Sequence, residues 1–330
     1  MMKRLLFLMF GFILLFGGAA YARTYKIAML NRAAWSPVNV AEAKGFWKDQ
    51  GLDVKVIVCA NPLQLFTLFK ENRIDIAFDM LGNSIGYYMN GLPVRIIAET
   101  DWSYGSDKIV VKKDIDPAVL KSKPVGVHAN TPAILYFLNR YLSGTGQKIS
   151  DIRVAEMEAD TLASHFIAGY FGMIACYDPE ATRAEKDGKG KTAASSASYE
   201  GIIPEGMIAL EDTLTAIPKD DLVRILKGWI KAVKWSQNPS NLKEYLDIMG
   251  QQTFKDKKYS ETELKNMLSG FRIHDLRMQT ERNADGGGLA LYLDDVKRFL
   301  EENRMLKKDF SPKAIFDNRA IIEAVKSEKE

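Results

Sequence analysis

Ile74–Asp107 reads IDIAFDMLGNSIGYYMNGLPVRIIAETDWSYGSD. Ile74–Met80 carries the apolar run of a short strand, Leu81–Asn83 a turn, and Ser84–Asn90 a short helix stopped at Gly91. Pro93–Thr100 is a second apolar run. Two β-rich runs joined by one helix predict a βαβ unit with parallel strands. In open α/β sheets small molecules sit beyond the carboxyl ends of strands, where loops and helix N-termini meet. Two such ends are Asp79–Asn83 and Asp101–Asp107, both dense in carboxylates, hydroxyls, amides and aromatic rings. An edge of this kind needs a second surface to close on.

The same alternation repeats on either side. Tyr25–Leu30 reads as a strand, Asn31–Ser36 as the loop at its end, and Pro37–Gln50 as a helix closed by Gly51. Leu52–Val58 alternates with the period of a strand, and Asn61-Pro62 opens a helix. Lys108–Lys112 is a short extended run that begins a second unit. There Pro124–His128, Ile152–Met157 and Met173–Tyr177 read as strands and Asp160–Phe171 as a helix. Asn130-Thr131-Pro132 starts another helix, with Thr131 at N-cap and Pro132 at N1. Lys186–Lys191 reads as a charged surface loop, and Gly206–Leu210 as an extended segment returning to the first unit. From Pro218 the chain is helical, with Leu222, Ile225, Leu226, Trp229 and Val233 in one stripe and Ser260–Glu263 as a capping box. The expected architecture is α/β: two lobes, two extended crossings and a cleft between them.

The chain has 330 residues, enough for two such lobes with a well-buried core. Its apolar fraction of 47% and charged fraction of 26% are those of a soluble globular protein. Residues 1–22 differ. Met1–Arg4 carries two positive charges, Leu5–Phe16 is apolar, and small residues surround Ala20-Tyr21-Ala22. That order predicts a secretory signal peptide cleaved after Ala22. The apolar run is short for a membrane span, so the mature chain is expected to be soluble in a periplasm. Without Lys3 and Arg4 the formal charge falls from +3 to +1. No basic run is present, which argues against a nucleic-acid partner. Cys59 and Cys176, each ending an apolar run, read as buried free thiols, with a disulfide as the alternative in an exported chain. His128, His165 and His274 are scattered without metal-ligand spacing, and no metal or cofactor is expected.

The order of segments resembles the periplasmic solute-binding proteins of nitrate/sulfonate/taurine ABC importers, the NMT1/THI5-like group. The resemblance runs from about Tyr25 to the C-terminus. It is carried by AEAKGFWKDQGLDVKV (Ala41–Val56), ENRIDIAF (Glu71–Phe78), NGLPVRIIAETDWSYGSDKIVV (Asn90–Val111) and ACYDPEATRA (Ala175–Ala184). Asn72 replaces the usual glycine of the second motif, and Pro124 departs from a G-K-x-V-G-V pattern. The resemblance implies a type II periplasmic binding fold: residues 23–105 in the first lobe, 106–210 in the second, and 211–330 returning to the first. It also implies a monomer that traps a ligand by hinge closure and presents it to an inner-membrane permease. Such a protein is not an enzyme. A receptor for a membrane histidine kinase is the rival, and a thiamine-pyrimidine-synthase-like enzyme fits poorly in the absence of a cysteine cluster.

The candidate ligand-binding residues are Asn31, Trp35 and Ser36 beyond the first strand, and Asp79, Gly82 and Asn83 at a strand end and helix start. Asp101 and Ser103 lie near the crossing, and Thr131, Tyr177 and Asp178 belong to the second lobe. Each has a structural alternative: Asn83, Thr131 and Asp178 as caps, Asp101 and Ser103 as hinge fasteners. Trp35, Asp101 and Asp178 are expected to converge on one pocket, both aspartates in loops. Apart from Arg32 the set holds no cation. Carboxylates beside aromatics suit a ligand with N–H donors or positive charge, such as an aminosulfonate or a pyrimidine.

Overall fold

The computed structural model describes residues 23–115, 122–129 and 131–328. The signal peptide read in residues 1–22, and Asn130 beside the predicted cap, lie outside them. Among the described residues no helix is long and apolar enough to cross a membrane.

A six-stranded sheet runs in the order β11-β4-β10-β3-β1-β2. Its strands are β1 (Thr24–Leu30), β2 (Asp53–Cys59), β3 (Ile76–Met80), β4 (Val94–Ser103), β10 (Pro204–Leu210) and β11 (Phe271–Ile273). A five-stranded sheet, β7-β6-β8-β5-β9, forms the second lobe. It comprises β5 (Asp107–Lys112), β6 (Val125–Val127), β7 (Val154–Glu156), β8 (Met173–Tyr177) and β9 (Gly190–Ser195).

Several expectations are corrected. β3 and β4 run the same way but are not neighbours: β10 lies between them, antiparallel to both, with Glu205 facing Met80 on one side and Asp101 on the other. Gly206–Leu210, read as an extended segment returning to the first unit, lies within β10 and hydrogen-bonds inside the first sheet. Asp101 is not in a loop. β4 continues to Ser103 because β11 pairs Ile273 with Asp101 and Phe271 with Ser103. Leu81–Asn83 form the first turn of the helix Leu81–Met89 rather than a separate turn. The helix expected over Pro37–Gln50 stops at Ala43, and Gly45 at φ +72° turns the chain before a short 3-10 turn at Lys48–Gln50. Of the supposed surface loop Lys186–Lys191, the first two residues end the helix Glu180–Asp187, Gly188 and Lys189 form the turn, and the last two open β9.

The C-terminal part is helical apart from β11. The Ser260 capping box forms: its hydroxyl accepts from Glu263 N–H, and the Glu263 carboxylate accepts from Ser260 N–H at 2.7 Å. One apolar core fills one face of the first sheet around Trp47, Phe78 and Trp229. A second core is shared by both lobes, joining Ala77, Leu81 and Ile85 to Val127, Ile134 and Leu138, and to Leu289, Leu293 and Phe299. Cys59 and Cys176 are buried free thiols, and burial pushes the Cys176 thiol up to about 12.

Two crossings join the lobes, 104–106 and 196–203, and polar side chains lock them together. Ser103 Oγ lies 2.8 Å from Ser196 Oγ, which also accepts from Gly105 N–H at 2.7 Å. Elsewhere the lobes meet where the helix Leu81–Met89 approaches the helix Pro132–Gly144 and the helix Gly288–Glu302. A Cβ on Gly82 would stand 2.8 Å from Ala133 Cβ and 2.4 Å from the Tyr292 hydroxyl, so only glycine allows this approach.

Candidate functional site

The carboxyl ends of β1, β3, β6 and β8 meet the end of β4 and the starts of β5 and β10 between the lobes. Arg32 sits one residue past Asn31, its backbone extended, with its guanidinium 4.6 Å from the Phe271 ring centre and 5.6 Å from that of Trp35. It donates from Nε to Glu205 Oε2 at 2.7 Å and from Nη2 to Glu205 Oε1. Nη2 also reaches Asp107 Oδ2 at 3.4 Å, which ties the first lobe to the first residue of β5. Burial works against the charge on Arg32, and Glu205 and Asp107 more than offset it.

His128 follows β6 and packs edge-on against Tyr177, ring centres 4.9 Å apart. Its Nδ1 is 3.2 Å from the Ala175 carbonyl, an acceptor, which assigns the proton to Nδ1. Burial lowers its pKa despite Asp107, so the ring is neutral and Nε2 is an acceptor. Nε2 then faces Asp107 Oδ1 across 3.9 Å, two acceptors with no proton between them. Asp107 Oδ1 has no other partner, and neither oxygen of Asp101 has any. Asp101 is fully buried, and burial followed by Glu205 holds its carboxyl well above the ordinary aspartate range. Burial also raises Glu205, to about 7, against the pull of Arg32. The two acids titrate as a pair. Asp101 is the better seat for a shared proton, because Glu205 has both oxygens on Arg32 while Asp101 has only the Trp35 indole acting against its burial.

Of the residues expected at the site, Trp35 is buried with its indole N–H unpaired, and it weakly opposes protonation of the nearby Asp101. Asn31 is exposed; its neighbour Arg32 enters the cleft instead. Ser36 is committed within the first lobe, donating to Ala33 O and meeting the Tyr245 hydroxyl at 2.7 Å. Asp79 accepts from Met80 N–H, Asn83 Nδ2 and Tyr87 OH, and so organises the start of the Leu81–Met89 helix. Asn83 Oδ1, Ser84 Oγ and Thr131 Oγ1 are buried and unpaired near the two helix starts that meet at Gly82. Ser103 fastens the crossings.

Asp178 does not join Trp35 and Asp101. Its carboxylate accepts from Thr182 N–H and Oγ1, at 3.1 and 2.7 Å, and pairs with Lys108 at 2.6 Å. Asp178→Ala is therefore expected to lower stability by about 1 kcal/mol and to leave ligand affinity within about twofold, as denaturation and calorimetry would read. Three residues of the cluster were missed as ligand candidates. His128 was weighed only as a metal ligand, Asp107 was weighed behind Asp101 at the crossing and left out of the candidates, and Glu205 interrupts an apolar strand, a signal that was available. A groove of about 380 Å³ near Tyr136, Arg282 and Tyr292 is lined by none of the cluster's residues.

The family model described as NMT1/THI5 like matches residues 33–240. A curated Bacillus subtilis binding protein, YtlA, is 27% identical over 217 residues, 62% of this chain and 64% of its own length. The chain thus matches just under two thirds of that relative. Among solved structures, the alkanesulfonate-binding protein SsuA of Xanthomonas axonopodis bound to MOPS has a TM-score of 0.67 at 14% identity, covering 91% of this chain and all of its own. The periplasmic nitrate-binding protein NrtA of Synechocystis has a TM-score of 0.69 at 14% identity, covering 93% and 89%. Both share the two-lobed α/β architecture of periplasmic binding proteins. The matched family model spans more than half of the sequence, and the chain belongs to the NMT1/THI5-like family.

Proposed function

We propose that this protein is the extracytoplasmic solute-binding component of an ABC importer, working in the periplasm as a monomer without enzymatic activity. It encloses a small polar nitrogen- or sulfur-containing metabolite, aminosulfonate-like or pyrimidine-like, and delivers it to a membrane permease by hinge opening. One observation carries this reading. Buried acceptors from both lobes lack hydrogen-bond partners among the described residues: both oxygens of Asp101, whose charge acts on Arg32, and Asp107 Oδ1, which faces His128 Nε2 beside the same guanidinium. A binding cleft explains such unpaired groups, because a ligand supplies the missing partners.

The opposite end of the cleft has the complementary character. The unpaired Ser84 and Thr131 hydroxyls stand at helix starts, where backbone N–H groups favour an anionic or strongly accepting atom. Glu205 lies between Met80 and Asp101 on adjacent strands, which puts the two ends about 10 Å apart. A short zwitterion with a hydrogen bond at each end fills that span. Candidate ligand positions are Trp35, Gly82, Asn83, Asp101, Thr131 and Tyr177 from the first list, joined by Arg32, Asp107, His128 and Glu205.

The test is a thermal-shift screen of the chain from residue 23, against alkanesulfonates, taurine, nitrate and aminopyrimidines. A ligand at a hundred times its Kd should add about 2.7 kcal/mol to stability. A flat response across a wide metabolite set would remove solute capture, and covalent turnover of any of them would favour an enzyme. A histidine kinase rather than a permease beside the gene would favour sensing.

A further inference from the structure

We propose that the group captured between Asp101, Asp107 and His128 is a positively charged organic nitrogen, and that its capture expels a proton held by Asp101. This rests on the solute-binding reading and narrows it: the cleft takes ammonium- or amidinium-bearing solutes, and bare anions are rejected.

Asp101 is 0% exposed and, among the described residues, neither oxygen has a hydrogen bond of ordinary geometry; the Trp35 indole N–H acts on its carboxyl but falls short of offsetting burial. Every charged or titratable group packed around it is otherwise engaged or of the wrong sign. On its own strand Glu99 has its carboxyl oxygens taken by Arg282 and His274. Across β10, Glu205 is paired with Arg32, and Asp79 lies beyond it on β3. Arg32 gives its hydrogen bonds to Glu205 and Asp107 and none to Asp101. The same Arg32 feels Asp107 from the second lobe, and Asp107 faces the neutral His128. Tyr245, on the helix Leu242–Ile248, feels Asp101 but spends its hydroxyl on Ser36. An ionised carboxylate in this place would be uncompensated, so without ligand Asp101 holds a proton.

A second observation, independent of the carboxylates, points to the same occupant. The bare Nε2 of His128 faces Asp107 Oδ1, and two acceptors in that relation call for a donor bound to both. Among the described residues no group of three or more His, Cys, Asp or Glu is placed to hold a metal ion, so the cation is one that hydrogen-bonds. The exchange balances. A ligand R–NH3+ and the neutral Asp101 acid give R–NH3+ beside the Asp101 carboxylate, and one proton goes to solvent.

The pH dependence has a definite sign. In the ligand-free protein Asp101 keeps its proton above the pH at which it would lose it in the unfolded chain. The folded state then binds more protons, and this contribution to stability falls as pH rises from about 4 through the elevated pKa of the folded state. His128, with a lowered pKa, acts in the opposite sense, losing stability as pH falls. Affinity for the cation rises with pH until Asp101 ionises unaided.

The test has a ligand-free arm and a binding arm. Infrared difference spectra of the wild type should show the C=O stretch of a buried carboxylic acid that Asp101→Asn lacks, and the variant's stability should fall less with rising pH. In the binding arm, taurine, ethanolamine and isethionate are titrated calorimetrically; isethionate is taurine with hydroxyl in place of ammonium. The two amines are expected to bind at least about a hundredfold more tightly than isethionate. Their heats should vary with the buffer's ionisation enthalpy as release of one proton requires, and not so in Asp101→Asn. Isethionate binding as well as taurine, buffer-independent heats, or no acid band would each overturn the proposal while leaving solute capture in place. No response to any solute of the wider screen would instead remove solute capture itself, and the acid band would still decide the state of Asp101.

Discussion

Arg32→Ala is expected to destabilise the protein by about 3–5 kcal/mol, the range for breaking one side of a buried ion pair. Glu205 is completely buried, and the Arg32 side chain is 15% exposed. Without the guanidinium, the Glu205 carboxylate loses its bidentate partner, Asp107 loses a cation within hydrogen-bond reach, and Phe271 loses the group stacked on it. Arg32→Lys should recover little, because an ammonium cannot reproduce the two parallel N–H donors. Adding Glu205→Gln to Arg32→Ala should restore part of the loss by removing the stranded charge. Urea unfolding of the four proteins provides the measurement. A loss below about 1 kcal/mol, the worth of an exposed pair, would mean that water reaches the cluster.

Glu99→Ala should be comparably severe, at about 3–5 kcal/mol, for a different set of stranded groups. Glu99 is fully buried in β4 and accepts from Arg282 Nε at 2.8 Å, Arg282 Nη2 at 3.0 Å and His274 Nε2 at 2.9 Å. The same residue's backbone is clamped by the Asn283 side chain, which accepts from its N–H and donates to its carbonyl. Trp102 lies against both partners, its ring centre 4.8 Å from that of His274 and 5.1 Å from the Arg282 guanidinium. Loss of Glu99 should therefore change the near-UV signal of Trp102 as well as the unfolding midpoint. Glu99→Gln should cost less, since its carbonyl still serves one donor. Unchanged stability in the alanine variant would show that the buried triad contributes no net energy.

The strand–helix alternation, the Ser260 cap, the two-lobed plan and the burial of both thiols are local patterns and were legible in the sequence. What escaped depended on distant partners. DWSYGSD looks like a loop because it is rich in turn formers, yet three residues from 271–273 pair it into β4. No pattern within Ile74–Asp107 announces that β10 will separate its two strands. Asp101 and Asp178 each follow an apolar run and read alike. What divides them is Thr182, four residues past Asp178 and able to supply two donors, against a strand environment that offers Asp101 none. His128 was set aside because it lacked metal-ligand spacing, a test that asks nothing about a histidine acting as a hydrogen-bond acceptor.

The position of β10 governs the order in which this molecule can be assembled. β3 and β4 are both complete when the first hundred or so residues exist, yet each keeps a row of backbone groups open for a strand that begins only at Pro204. Until the whole second lobe has been made, the N-terminal segment cannot close its own sheet. The loop that must then be drawn shut spans roughly a hundred residues, and pairings so remote along the chain form slowly. The first sheet then gains its edge strand β11 only from Phe271–Ile273, so its pairing is completed late in the chain. The wiring thus acts as a delay, keeping an incomplete chain from settling early.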